Sequence, residues 1–184
     1  MNVYDFDNTL LKGDSTARFF AWCLRHHPRM WLDIPAQAAN GLLFALHLRE
    51  KQAFKQRMLH FLTLIGDVDA AVDAFWRENM SRIKAWYPPR HRPDDVVISA
   101  SPEFLIRPAC AKLDIQCAIG SPVDKHTGHI LGPNCDGTEK VSRFHARFPG
   151  AGIEEFYSDS HSDDPLAALA QRAYLVKGEK LLPW

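Results

Sequence analysis

The chain has 184 residues, 46% of them hydrophobic, enough to bury one substantial core with room for a small second subdomain. Lys plus Arg and Asp plus Glu number 22 each, so the net charge is zero and no global basic footprint marks a nucleic-acid binder. Cys23, Cys110, Cys117 and Cys135 show no CxxC spacing, and a strand stands where a secretory leader would be; they read as reduced, mostly buried thiols of a cytoplasmic protein.

The first predicted element is a short buried strand around Val3, Tyr4 and Phe6, which runs into Asp5-Phe6-Asp7-Asn8-Thr9. Asp5 and Asp7 are two apart, so in an extended chain their carboxylates project from one side. Such a pair ionises fully only beside a positive charge, and a hard divalent cation is its natural partner. A strand ending in a polar Asp-Asn turn accounts for the same residues equally well.

Residues 12–89 are helical in character. Asp14-Ser15-Thr16 offers a helix start, followed by the stripe Phe19, Phe20, Cys23 and Leu24. Residues 30–48 are apolar-rich but interrupted by Asp33, Pro35, Asn40 and Gly41, and are read as core of this helical segment. An interfacial membrane helix is the alternative, helped by Trp31 and the flanking Arg25, Arg29 and Arg49. Phe54, Met58, Phe61, Leu62 and Ile65 recur at helical spacing, Asp67 caps a further helix, and Ile83, Trp86 and Tyr87 close the stripe before Pro88-Pro89. Arg18, Arg25, Lys51, Lys55 and Arg57 are the segment's candidate substrate cations.

From residue 90 strands and helices alternate. Val96-Val97-Ile98 is a continuous apolar run, as a strand covered on both faces requires. It ends in Ser99-Ala100-Ser101-Pro102, where Ser101 suits a helix N-cap and Pro102 the first helical position. A strand over 115–119 and a hairpin over 122–131 follow; His126 and His129 lack further ligands and read as a solvated turn. Thr138 is expected to cap a helix bearing Val141, Phe144 and Phe148, which puts Lys140 in the first turn, against the helix dipole. Ile153 to Tyr157 forms a strand feeding Ser158-Asp159-Ser160-His161-Ser162-Asp163-Asp164-Pro165. Asp164 is expected to cap a helix containing Leu166, Leu169 and Ala170, leaving Asp159 and Asp163 unexplained without a cation. A strand over 173–176 and a tail complete an α/β parallel-sheet architecture, whose ligands bind beyond the carboxyl ends of the strands.

Asp5-Phe6-Asp7-Asn8-Thr9, Ser99, Lys140 and the acidic loop from Asp159 to Asp163 together resemble, in order, the signatures of the haloacid dehalogenase-like hydrolase superfamily. The insert after the first signature and the SDSxxD form of the last are similar to its phosphoserine phosphatase-like branch. The resemblance implies a Rossmann-like core of residues 1–11 and 90–184 with a helical cap, 12–89, inserted after the first strand. It implies Asp5 as nucleophile, Asp7 as proton carrier, phosphate contacts from Thr9, Ser99, Ala100 and Lys140, and Mg²⁺ held by Asp5, Asp7 and Asp159 with Asp163 orienting the metal shell. A small phosphorylated substrate ranks first. The acid expected shortly after the nucleophile loop is not evident, so phosphoserine is not singled out. A lipid phosphate of the phosphatidylglycerophosphate type, turned over at a membrane surface, ranks second, and a non-catalytic metal-binding module remains the alternative of a different class.

Overall fold

The computed structural model describes the backbone of residues 1–184 and every side chain except those of Lys51 and Gln52. Six strands form one sheet in the order β3-β2-β1-β4-β5-β6. They are β1 (Asn2–Tyr4), β2 (Val96–Pro102), β3 (Cys117–Ser121), β4 (Ile153–Ser158), β5 (Ala170–Lys177) and β6 (Lys180–Pro183). The first five are parallel, and β6 returns antiparallel along β5, pairing Leu175 with Leu182. The tail expected after residue 177 is thus an edge strand, because Gly178 at φ 62° allows the tight reversal.

β1 is central, with Val3 opposite Val96 on one side and Phe156 on the other. Alternation along the strand sends Val3 and Tyr4 to opposite faces. Val3 joins Ile98, Phe144, Phe156 and Leu166 in one core cluster. Tyr4 joins Trp76, Trp86, Tyr87 and Leu105 in the other, and stacks on Tyr157 at 4.9 Å, which stacks in turn on Tyr174 at 5.0 Å. Helix α5 (Glu103–Lys112) connects β2 to β3, α6 (Thr138–Arg147) connects β3 to β4, and α7 (Asp164–Ala167) connects β4 to β5. The chain reverses its direction across the sheet beside β1, where an open α/β sheet leaves its crevice.

Between β1 and β2 lie α1 (Ser15–His26), α2 (Ile34–Ala45), α3 (Lys51–Met58) and α4 (Val68–Asn79), joined by short 3₁₀ segments. Asp14 caps α1 through the Ala17 N–H at 2.7 Å, and Asp67 caps α4 through the Ala70 N–H at 3.0 Å. Trp76 Nε1 donates to the Leu105 carbonyl at 2.7 Å and so ties α4 to α5. Gln56 of α3 clamps the hairpin over 122–131, donating to the Gly128 carbonyl and accepting from the Ile130 N–H, both at 2.9 Å. Helix α3 therefore lies on the hairpin that follows β3, while α4 packs against α5.

The core reading of residues 30–48 is corrected. Met30 and Asn40 are buried, but Trp31, Leu32, Leu42, Leu46 and Leu48 are exposed, Leu32 at 83%. The cause is that polar contacts join α2 to α3: Asn40 donates to the Phe54 carbonyl, Gln37 to the Arg57 carbonyl, and Asp33 accepts from Arg57. Those contacts turn the apolar side chains outward. Three expected caps also move. β2 runs on to Pro102, so Ser101 belongs to the strand; Gly137 caps α6; and α7 ends before Leu169, with Asp164 inside its first turn rather than at the cap.

Candidate active site

Asp5 follows the last residue of β1, and its N–H donates to the Tyr157 carbonyl at 2.8 Å. Its carboxylate accepts from Lys140 Nζ at 2.7 Å and from the Thr9 hydroxyl at 3.4 Å. Lys140 also donates to Asp163 at 2.7 Å, and Asp163 accepts from the Ser158 hydroxyl at 2.7 Å. Asp5, Thr9, Lys140, Ser158 and Asp163 are all buried. Burial pulls Lys140 down, but Asp5 and Asp163 outweigh it and hold the ammonium above its usual range. Burial pushes the Asp5 carboxyl up to about 6, opposed by Lys140 and reinforced by Asp163 and Asp159.

Asp7 turns to different partners. Asn8, at φ 54°, adopts the left-handed conformation that asparagine tolerates, and its N–H closes the loop on the Gly13 carbonyl at 3.1 Å. The Asp7 carboxylate accepts from the Ser15 N–H at 2.7 Å, at the start of α1, and from the Ser101 hydroxyl. Ser15 and Thr16 reach the same Ser101 oxygen at 3.0 and 3.2 Å. Burial first, then the Asp14 charge, pushes Asp7 up to about 7, despite its hydrogen bonds to Ser101 and Ser15.

Ser99 is buried and accepts from the Ser101 N–H at 3.2 Å, while Ala100 lines the same cavity as Asp7. Asp159 is half-buried at the other side of the crevice, where burial raises its carboxyl above the usual range. The structure thus links Asp5, Thr9, Lys140 and Asp163 directly, sets Asp7, Ser99 and Ala100 beside them, and places Asp159 near enough to repel Asp5.

Three residues escaped the sequence reading. Ser101 is the hydroxyl that holds Asp7. Lys84 is only 4% exposed, and its ammonium donates to the Asn8 carbonyl in the loop that follows Asp7. Its signal was a lysine inside the apolar run of Ile83, Trp86 and Tyr87. Asp14, read only as a cap, also lines the cavity above Asp7. Of the candidate cations, Lys55 lines that cavity and donates to Asn134 at 2.8 Å, Arg57 is paired with Asp33, Arg18 and Arg25 line a different cavity and so are not placed to touch substrate, and the Lys51 side chain lies outside the described residues.

The cavity measures about 450 Å³ and opens from Asp7 towards Phe44, Phe54, Met58, Leu59, Val123 and Ile130. Asp7, Asp14, Thr16 and Ser101 line it as well, and Lys55, Ser121 and Asn134 add polar groups. Phe44 and Phe54 stack at 4.4 Å within its apolar wall.

The family model for haloacid dehalogenase-like hydrolase matches residues 3–168. The chain belongs to this family. Among curated proteins no sequence matches it. It is similar in structure to a protein of unknown function from Bordetella pertussis Tohama I, with TM-score 0.78 and 20% identity over 94% of this chain and 87% of that one. A HAD family hydrolase from Salmonella enterica serovar Typhi aligns with TM-score 0.64 and 15% identity over 91% and 59%. A phosphoserine phosphohydrolase-like protein from Francisella tularensis SCHU S4 aligns with TM-score 0.57 and 14% identity over 94% and 86%. The hydrolase fold, a largely parallel sheet with helices inserted after its first strand, is common to them.

A metal ion of this family fits the donor set. No three His, Cys, Asp or Glu side chains among the described residues form a ready-made metal site. Mg²⁺, however, keeps several waters and needs only one or two carboxylates. Asp5 and Asp159 offer hard oxygens, and Asp163 Oδ1 is buried without a hydrogen-bond partner, an acceptor left for a bound water.

Asp7 holds its proton more tightly in the folded protein than in the unfolded chain. Its contribution to stability is therefore fully present below about pH 4 and is lost as pH rises through about 7. The metal-free protein is expected to lose thermal stability across that window, and Asp7→Asn to flatten the decline. Equal slopes in melting scans of the two proteins from pH 4 to pH 8 would contradict the assignment.

Proposed function

We propose that the chain is a Mg²⁺-dependent phosphomonoester hydrolase that works through an aspartyl-phosphate on Asp5. The observation that carries this reading is the pairing of a buried, lysine-tethered carboxylate with a second carboxyl, Asp7, whose raised pKa suits proton transfer near neutrality. An Asp5 oxygen attacks phosphorus and the bond from phosphorus to the leaving oxygen breaks, that oxygen taking the Asp7 proton. The Asp7 carboxylate then removes a proton from water, which attacks the aspartyl-phosphate and frees Asp5 and inorganic phosphate. Lys140, Thr9, Ser99 and the Ala100 backbone stabilise the phosphoryl oxygens, where transition-state charge is spread. Asp5, the Asp7 carbonyl and Asp159 would hold Mg²⁺, which would supply positive charge to offset the repulsion between two anions.

A phosphate-release screen over many phosphomonoesters, run with Mg²⁺ and with EDTA, tests this reading; silence across the panel with Mg²⁺ refutes it. The acidic loop supplies a sharper check. Asp159→Ala is expected to raise the Mg²⁺ requirement at least about tenfold, by removing a carboxylate ligand. Asp164 instead accepts from His161 Nδ1 at 3.0 Å and from Trp184 Nε1 at 2.9 Å on the surface. Asp164→Ala should shift Trp184 fluorescence and leave the metal requirement unchanged. Equal metal dependence in the two variants would remove Asp159 from the ligand set.

A lipid phosphate is the second reading, and one observation favours it. Phe44 belongs both to the apolar wall of the cavity and to the set of exposed apolar residues on and around α2. A long apolar leaving group has a continuous path from Asp7 to that face. Among the described residues no helix is long and apolar enough to cross a membrane, so a lipid phosphate would be met at the membrane surface. Flotation with anionic vesicles, together with preference for a lipid phosphate over soluble esters, is expected under this reading; absence of flotation leaves the small ester.

A further inference from the structure

A second cavity, about 570 Å³ and separate from the apolar one, lies between α1 and the turn that follows α4. Arg18 and Arg25 face it from α1, seven residues apart on one side of the helix, with Arg82 opposite and Lys12 at its edge. Glu78 is the single acid among its described lining residues, and its carboxylate accepts from Trp22 Nε1 at 2.8 Å. Lys12 is paired with Glu179 at 2.8 Å, and Arg82 Nε donates to Asn79 at 3.2 Å. Among the described residues Arg25 has no ion pair, and the buried Arg18 Nε has no hydrogen-bond partner.

An orphan buried guanidinium N–H is costly, and native proteins rarely leave one without a partner. The backbone is shaped to admit this guanidinium. Gly13 sits at φ 99°, and a Cβ there would lie 2.5 Å from Arg18 Nε. Several cations from three chain segments, with planar donor forks and little opposing charge, match an oxyanion carrying two or more charges.

We propose that this cavity binds a phosphate-class oxyanion at a site distinct from the catalytic crevice. Arg18 and Arg25 grip it from α1 and Arg82 from the opposite wall. The site is tied to the nucleophile loop, because the Lys12 N–H donates to the Arg82 carbonyl at 3.0 Å and Arg18 lies against Gly13. An occupied site braces residues 8–13 from outside the crevice.

Inorganic phosphate is the probe, measured by equilibrium dialysis of the intact protein in EDTA. Without metal the crevice sets Asp5, Asp159 and Asp163 against Lys140 and repels anions, so the cavity dominates the readout. Arg18→Gln with Arg25→Gln is expected to weaken phosphate binding at least about tenfold. Hydrolysis of an aryl phosphate with Mg²⁺ should stay within about twofold of the parent. If circular dichroism shows that this double variant is unfolded, Arg82→Glu, at an exposed position, decides by the same measurement. No binding by the parent protein up to about 10 mM phosphate would overturn the proposal. So would unchanged affinity in the variants, or hydrolysis falling in step with binding, which would place the anion in the crevice.

Discussion

Asp5→Asn is expected to lower turnover of a generic aryl phosphate by at least about 10⁴-fold, the scale on which removal of a nucleophile is felt. The amide keeps the shape of the carboxylate and can still face Lys140 and Thr9, so the fold should survive. What disappears is the attacking charge. Acid quench of the parent enzyme during turnover should trap phosphate on the protein, and the variant should trap none. Near-normal turnover by Asp5→Asn would rule out covalent catalysis through this residue.

Lys140→Met is the second large effect, and it is structural as well as catalytic. The ammonium lies between Asp5 and Asp163 at 2.7 Å from each, and its side chain is 2% exposed. Removing one partner of a buried pair costs about 3–5 kcal/mol, since the remaining charges are left uncompensated. For a chain of this length that lowers the melting temperature by about 10 °C. In the variant the Asp5 carboxyl loses the charge that opposes its upward shift and binds its proton more tightly when folded, so the lost stability should return as pH falls and the deficit be greatest above neutrality. A melting temperature at pH 8 equal to the parent's would show that Lys140 does not hold the two acids together.

The ends of the strands were legible because chemistry and local pattern coincide there. A short apolar strand followed by Asp5 and Asp7, a lysine in the first turn of α6 and three acids in one short loop are all local facts. Ser101 was misread for the same reason. The dipeptide Ser-Pro has a local explanation as a helix start, whereas its actual role, a hydroxyl on Asp7, spans most of the chain and leaves no periodic trace. Lys84 carried a signal in its apolar surroundings, but nothing local says that it reaches the Asn8 carbonyl. Residues 30–48 went wrong through hydrophobicity itself. An apolar side chain is free to lie outside, and here Asn40 and Asp33 decided which side of α2 was buried.

The place of β1 also bears on when the molecule becomes whole. This strand is made before both of its neighbours, since Val3 finds its partners at Val96 and Phe156, so the sheet cannot close around it until β4 has been made. The helices between residues 15 and 79 wait as well, since Gln56 of α3 and Trp76 of α4 find their partners only at Gly128 and Leu105. A nascent chain halted before β2 would therefore carry an unpaired, apolar first strand, the condition under which chaperone capture and aggregation compete with folding.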